Sequence, residues 1–191
     1  MPIRVFIDQG HNPYGFNAGA EGFGLREQDI TYLVGTYLSN ILNADPRFEA
    51  ITSRQTPDEI LGFDTNSSLR ARTEAANEWG ADYFFSIHVN ANVNPAVNGT
   101  EAYVYRADSP AYVLGEAVVA EIVRRLGTKN NGVYVRPSLY VLRRTNMPSI
   151  LVELAYISNE EDAYLLANEP YQFAYAIYVG LLNYLGFAQI L

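Results

Sequence analysis

The sequence contains no cysteine and only two histidines, His11 and His88. The absence of cysteine excludes disulfide bonds, thiol catalysis, cysteine-ligated zinc sites and iron–sulfur clusters. Any chemistry that needs an imidazole must use one or both of the two histidines. The scarcity of this residue type therefore narrows the search for a functional site to their surroundings.

Long hydrophobic runs are also missing, so the sequence predicts no membrane span. Acidic residues outnumber basic ones by 21 to 13, and the formal net charge of −8 argues against electrostatic binding of nucleic acid or an anionic membrane. The start of the chain, Met1 followed by PIRVFID, lacks the basic start and long apolar stretch of a secretory signal peptide. With 191 residues, 49% of them hydrophobic, the chain is expected to form one globular domain over residues 1–191.

Segments typical of strands alternate along the chain with segments typical of helices. The helical segments carry apolar side chains at three- and four-residue spacing, and Ser109 before Pro110 marks one helix start. The pattern predicts strands at residues 3–8, 48–53, 81–89, 100–105, 138–142 and 149–154, and helices from Glu27 onward and at residues 66–79, 110–126, 158–166 and 170–185. This order predicts a single α/β domain with a mostly parallel, twisted sheet of about six strands flanked by five or six helices.

Both histidines follow predicted strands, His11 after IDQG and His88 after FFSI. The carboxyl ends of parallel strands meet at one edge of a sheet, where α/β proteins place their sites, and two imidazoles at that edge suggest metal ligands. The alternative is two unrelated histidines, one in a loop and one in the core. A catalytic zinc site also requires a third protein ligand, often a carboxylate.

Several polar residues near these strand ends are candidates for the remaining roles. Glu27 opens the first helix, where the helix dipole favours an acid even without another duty. Glu153 ends an apolar strand, so a role as general base or metal partner is favoured. Asp8 is a candidate to orient an imidazole. Asn90 either contacts substrate or forms a turn, and Arg72 either supports the site or holds a helix against the sheet.

The order and spacing of several short motifs identify a family resemblance. The chain resembles, over nearly its full length, the catalytic domain of the zinc-dependent N-acetylmuramoyl-L-alanine amidases of type 3. The segments that carry the resemblance are IDQGHN, REQDI, SSLRARTEAAN, ADYFFSIHVNA, NGTEAYVY and NNGVYVRPSLYVLRRTNMPSILVELAYISN. Asn12 and Pro13 stand where the family usually has glycines, and VELAYISN replaces the commoner VELGFISN, so we expect substrate fit to differ before activity does.

The resemblance implies a site and a reaction. His11, Glu27 and His88 would hold one Zn²⁺ ion, and Glu153 would be the catalytic glutamate. Glu27 is preferred over Glu21 and Asp29 because it matches the glutamate of the family motif. The reaction would be hydrolysis of the amide between the lactyl group of N-acetylmuramic acid and the first L-alanine of the peptidoglycan stem peptide.

Two other functions are compatible with the same motifs: a catalytically silent peptidoglycan-binding module of the same fold, and a zinc peptidase acting on stem peptides. Some family members carry an extra helix that plugs the site until an activator protein removes it. The stretch between residues 105 and 138 has room for one core helix, so we expect an open site that needs no activator. The resemblance implies action on the cell wall, on the extracellular or periplasmic side, by an export route that this sequence does not give.

Overall fold

A computed structural model describes residues 1–190 and contains one six-stranded sheet and one small hairpin. The strands are β1 (Ile3–Gln9), β2 (Glu21–Gly22), β3 (Leu25–Arg26), β4 (Phe48–Thr52), β5 (Tyr83–Asn90), β6 (Thr100–Val104), β7 (Asn130–Val135) and β8 (Ser149–Tyr156). The helices are α1 (Glu27–Ala44), α2 (Thr65–Trp79), α3 (Pro110–Leu126), α4 (Tyr140–Arg144), α5 (Glu160–Asn168) and α6 (Pro170–Leu185).

The sheet has the strand order β4-β1-β5-β8-β6-β7 and is mostly parallel, as predicted. Strands β4, β1, β5 and β8 run in one direction, whereas β6 pairs antiparallel with β8 and parallel with β7. The carboxyl ends of β1, β5 and β8 therefore lie side by side at one edge of the sheet. β2 and β3 pair only with each other, in the loop that connects β1 to α1.

The two faces of the sheet are covered unequally. On one face, Ile7, Ile87 and Val152 belong to a large core with residues of α1, α3 and α6. On the other face, Phe6 and Phe84 belong to a smaller core with residues of α2 and α4. Because side chains alternate between faces along a strand, the residues two and four positions beyond Phe6 and Phe84 emerge on the second face. This alternation brings polar side chains to the less covered face near the carboxyl ends of the strands.

Local capping explains where two of the helices begin and end. The α2 helix is capped by Asp64, whose carboxylate accepts the Ser67 amide while the Ser67 hydroxyl accepts the Asp64 amide, so the helix starts one residue before the predicted position 66. The helix ends before Gly80, whose φ of 70° lies in the left-handed region that favours glycine. The α3 helix begins as predicted, with Ser109 as its cap and proline at its first position.

The predicted strand at residues 138–142 is wrong, since the chain there enters the short helix α4. Only Val141 and Leu142 of α4 are buried, and its N-terminal end has no side-chain cap, so the short helix depends on packing against α2 and β8. At its other end the Thr145 hydroxyl donates to the carbonyl of Val141 at 2.8 Å. The sixth strand is β7, an edge strand that is largely exposed and starts with two asparagines. Because β7 is exposed at the edge of the sheet, it needs no apolar run, and the apolar pattern of the sequence does not indicate it.

No helix within residues 1–190 combines the length and the apolar character needed to cross a bilayer.

Candidate metal centre

His11, Glu27 and His88 converge at the carboxyl-end edge of the sheet. One ligand atom from each of the three lies within 4.8 Å of the others, the only such group of histidine and acidic side chains in the part of the chain that the structure describes. Glu27 Oε1 is 3.0 Å from His11 Nε2 and 3.1 Å from His88 Nδ1. Of the two competing acids, Glu21 is exposed in β2, and Asp29 is exposed and lies 3.6 Å from Arg26.

Two neighbouring strands bring the histidines together. His88 is the sixth residue of β5, and His11 follows β1 through Gly10, whose amide donates to the carbonyl of Ile87 at 3.0 Å. A Cβ atom on Gly10 would lie 2.5 Å from that carbonyl oxygen and 2.6 Å from the His88 ring, so only glycine allows this close approach. His11 itself has a φ of 69°, a conformation that is uncommon outside glycine and is concentrated at functional sites.

The third member of the cluster, Glu27, is the first residue of α1 and is buried. Its Oε1 also accepts the Val89 amide at 2.9 Å, and its Oε2 accepts the Ala20 amide at 2.9 Å, so backbone groups fix the carboxylate. Burial alone would raise the pKa of Glu27, but its hydrogen bonds and charge interactions with His11 and His88 outweigh burial and lower it. Glu27 is therefore an ionised carboxylate.

The donor atoms fit a zinc ion. His11 Nδ1 lies 3.1 Å from the carbonyl oxygen of Asn17, and a neutral imidazole that donates from Nδ1 presents a lone pair at Nε2, the atom that faces Glu27. Two imidazole nitrogens and one carboxylate oxygen form a known ligand set for catalytic zinc, which leaves a fourth position for water or substrate. Both histidine side chains are about one-fifth exposed, at 20% and 18% for His11 and His88, so the site opens to solvent.

The residue pair Asp8 and Arg72 supports the first histidine from inside the domain. Arg72 Nη1 donates to Asp8 Oδ1 at 2.6 Å, and Arg72 Nη2 donates to the backbone carbonyl of His11 at 2.6 Å. Ser86 donates to the other oxygen of Asp8 at 2.8 Å. Within residues 1–190 Asp8 makes no hydrogen bond to an imidazole, so its influence passes through Arg72 to the histidine loop. At 1% exposure Arg72 lies beneath the site and does not line its surface.

We expect Asp8→Asn to lower the free energy of unfolding by about 3 kcal/mol, because it leaves a buried guanidinium without its charge partner. Burial raises the pKa of Asp8, but the charge and hydrogen bond of Arg72 outweigh burial and lower it below the usual range. Since the pKa is lower in the folded state, this stabilisation is complete above the unfolded pKa of about 3.9 and is lost as the pH falls through the folded value.

Urea unfolding between pH 3 and pH 7 measures this effect. Glu49→Gln is a suitable control, because Glu49 pairs with Arg4 at 3.4 Å on the surface, where both side chains are nearly half exposed. The control should change stability by less than about 0.5 kcal/mol. Equal stability losses in the two variants would contradict the structural role of Asp8.

Glu153 lies on β8, beside the metal-ligand candidates. In the sheet register it is the neighbour of His88 on β5 and of Glu101 on β6, so the three side chains project from the same face in one row across three strands. Part of the residue reaches the surface, but its Oε2 is buried without a hydrogen-bond partner in the described structure. Burial, followed by the charges of Glu27 and Glu101, raises the pKa of Glu153 well above its usual range. The carboxyl group is therefore placed to hold or release a proton.

Glu101 is a site neighbour that sequence reasoning missed. It is buried, and its Oε1 accepts hydrogen bonds from the hydroxyls of Tyr103 and Tyr156 and from the amide group of Asn90, at 2.8 Å for the latter. Asn90, a candidate substrate contact, thus donates a hydrogen bond from its side-chain amide group to Glu101. An acid at an inward position of an otherwise apolar strand was the available signal, the same signal that singled out Glu153.

Two further observations concern the surroundings of the site. The helix between residues 105 and 138 is α3, whose apolar residues belong to the core on the opposite face of the sheet from His88. It therefore does not cover the histidines. Arg54, another buried arginine near the site, has no carboxylate partner within residues 1–190 and instead donates to the carbonyls of Gln28, at 2.7 Å, and Pro57.

Comparison with known proteins places these residues in a family. Residues 5–183 match the Amidase_3 family, described as N-acetylmuramoyl-L-alanine amidase. The chain is 32% identical to N-acetylmuramoyl-L-alanine amidase CwlM of Bacillus licheniformis over 88% of its own length and 62% of that protein's. It is 34% identical to the amidase LytC of Bacillus subtilis over 94% of its own length, but spans only 35% of LytC.

Solved structures of amidases share the same fold over almost their whole length. The CwlD amidase of Clostridioides difficile, solved in complex with the GerS lipoprotein, superposes with a TM-score of 0.88 at 28% identity, covering 96% of this chain and 98% of that one. The amidase AmiC2 of Nostoc punctiforme gives a TM-score of 0.83 at 36% identity, covering 96% and 97%. The chain therefore belongs to the Amidase_3 family of N-acetylmuramoyl-L-alanine amidases.

Proposed function

We propose that this domain is a zinc-dependent N-acetylmuramoyl-L-alanine amidase, which hydrolyses the amide between the lactyl group of N-acetylmuramic acid and L-alanine of the stem peptide. The observation that carries the proposal is the convergence of His11, Glu27 and His88 beside the carboxyl group of Glu153. Family membership supports the choice of bond. Because the chain spans 62% of CwlM and 35% of LytC, the activity of those longer proteins enters here only as support.

His11, Glu27 and His88 are the residues that would hold the zinc ion. A zinc ion at this position supplies Lewis acidity, which polarises the scissile carbonyl and makes water easier to deprotonate. The contribution of the chain is to fix the ligands in advance. The carbonyl of Asn17 orients the His11 ring, and the amides of Val89 and Ala20 orient the Glu27 carboxylate.

Glu153 is proposed as the group that moves the proton. It takes a proton from the attacking water while the water oxygen bonds to the carbonyl carbon, and it delivers that proton to the nitrogen as the carbon–nitrogen bond breaks. The products are the lactyl carboxylate and a stem peptide with a free amino terminus. An oxygen without a hydrogen-bond partner and a raised pKa suit a carboxylate that must accept and then return a proton.

Peptidoglycan is the proposed partner, and the cell wall is the proposed place of action. CwlD was solved with the GerS lipoprotein, but in this chain both histidines reach solvent, and α3 lies on the opposite face of the sheet. We therefore expect the purified chain with zinc to act without a second protein. Its net charge of −8 gives no long-range attraction to an anionic wall, so binding must come from contacts near the site.

Digestion of purified peptidoglycan tests the proposal and separates it from its alternatives. An amidase releases stem peptides whose first residue is L-alanine with a free amino group, and it leaves glycan strands without peptide. A zinc peptidase would release shorter peptides and leave L-alanine on the lactyl group. A silent wall-binding module would sediment with the wall and release nothing. Mass spectrometry of the soluble fraction, after incubation with zinc and without any other protein, distinguishes the three results.

A further inference from the structure

An exposed arginine, Arg136, lies on two tyrosine rings near the acidic row, which consists of Glu101 on β6 and Glu153 on β8. The guanidinium carbon of Arg136 is 5.3 Å from the ring centre of Tyr103 and 5.5 Å from that of Tyr134. The two rings also contact each other, with their centres 6.4 Å apart. The backbone amide of Arg136 donates to the carbonyl of Val104 at 2.8 Å, which ties the base of the side chain to the sheet. The guanidinium is thus held on an aromatic platform.

No carboxylate within residues 1–190 lies within ion-pair distance of Arg136. The other exposed arginine on a connecting loop nearby, Arg106, has its partner Asp108 at 3.5 Å. Two other exposed arginines, Arg143 and Arg144 beside Tyr140, also lack an ion-pair partner in the described structure.

What distinguishes Arg136 is its contact with Tyr103, whose hydroxyl donates to Glu101. One guanidinium nitrogen, Nη1, donates to the backbone carbonyl of Val135 at 3.4 Å. Ring faces attract a guanidinium but do not neutralise it, and its remaining donors are available to an anion.

The sheet register connects this platform to Glu153. Tyr103 is the diagonal neighbour of Glu153 across the β6–β8 pair, a relationship that separates two residues by about 7–8 Å. The Tyr103 hydroxyl donates to Glu101, the direct neighbour of Glu153, so the ring bridges the acidic row and Arg136. An extended peptide advances about 3.3–3.6 Å per residue. The diagonal separation between Glu153 and Tyr103 equals about two residues of an extended peptide, so the second residue after the cleaved bond would lie over Tyr103, beside the Arg136 guanidinium.

We infer that Arg136 on its tyrosine platform binds a free carboxylate of the substrate's stem peptide, close after the scissile bond, and so makes the domain selective for acidic over amidated stems. The inference rests on the proposed amidase function. A planar guanidinium and a carboxylate match in a two-bond fork, which discriminates against an uncharged amide at the same position. Arg136 is then a specificity-determining residue and takes no part in proton transfer.

The test compares Arg136→Gln with the unchanged protein on two muramoyl tripeptide amides, N-acetylmuramoyl-L-alanyl-γ-D-glutamyl-L-lysinamide and its amidated form, N-acetylmuramoyl-L-alanyl-D-isoglutaminyl-L-lysinamide. The first has one free carboxylate, on its second residue, and the second has none. For the acid substrate we expect kcat/KM to fall about tenfold through a higher KM, with kcat unchanged, because one charged hydrogen-bond pair is lost. For the amidated substrate we expect less than a twofold change. Arg136→Lys should recover part of the loss, since it keeps the charge but not the planar fork.

Arg106→Gln is the matched control, because it removes an exposed arginine whose charge already has a partner, and it should leave both substrates unaffected. Equal losses on the two substrates, or no loss on the acid substrate, would overturn the inference. Calorimetric binding of the dipeptide L-alanyl-D-glutamate supplies a readout that needs no turnover. If the unchanged protein cleaves neither substrate, the proposed amidase function fails, and weaker dipeptide binding by Arg136→Gln would still support the carboxylate site.

Discussion

Glu153→Gln is expected to lower kcat about 10³-fold while leaving zinc binding and folding intact. The substitution keeps the size of the side chain and removes its ability to take up and return a proton. Glu153 is absent from the group of atoms that converge at the candidate zinc site, so the ligand set survives. The side-chain amide also removes a negative charge that faces Glu27 and Glu101, which relieves repulsion within the acidic row.

The measurement pairs muropeptide hydrolysis with metal analysis of the dialysed protein. Glu160→Gln provides a control, because Glu160 is an exposed glutamate in the first turn of α5 and does not belong to the strands that carry the acidic row. The control should keep full activity and one zinc ion per chain. If Glu153→Gln retained more than a tenth of the activity, the general base would have to be another group. If it lost its zinc, Glu153 would be a ligand instead.

The sheet edge that holds the site could be predicted from the sequence because its strands are buried. β1, β5 and β8 are rich in apolar residues, and this pattern predicts His11, His88 and Glu153 near the carboxyl ends of strands without knowledge of the tertiary structure. The structure extends β8 three residues beyond Glu153, to Tyr156. The strand patterns could not show that Glu27 lies beside these three residues, because Glu27 belongs to helix α1. Its position at the start of α1 has an ordinary electrostatic explanation, and the family resemblance decided in its favour.

Features that depend on neighbours in space could not be predicted. α4 is helical because Val141 and Leu142 pack into the smaller core, and β7 is a strand because β6 supplies its hydrogen bonds. Glu101 was not predicted as a site residue for a related reason. Its importance follows from the antiparallel pairing of β6 with β8, which places it opposite Glu153, and a mostly parallel sheet gives no reason to expect that pairing.

His88→Ala is expected to abolish zinc binding at micromolar metal and, with it, hydrolysis. Removal of an outer-shell partner alone typically costs about 10–100-fold in metal affinity, and the loss of one of three direct ligands should cost more. The chain has only two histidines, so no other imidazole can take the vacant position. The remaining residues, His11 and Glu27, would offer two ligands, fewer than the three protein ligands typical of a catalytic zinc site.

Thermal unfolding with and without zinc separates loss of metal from loss of fold. A ligand at 100 times its dissociation constant stabilises the native state by about 2.7 kcal/mol, so zinc should raise the Tm of the unchanged protein. His88→Ala should unfold near the Tm of the zinc-free protein and show no response to zinc. Asn92→Ala, at an exposed asparagine just after β5, should respond to zinc fully. Full zinc stoichiometry in His88→Ala would refute the assignment of His88 as a ligand.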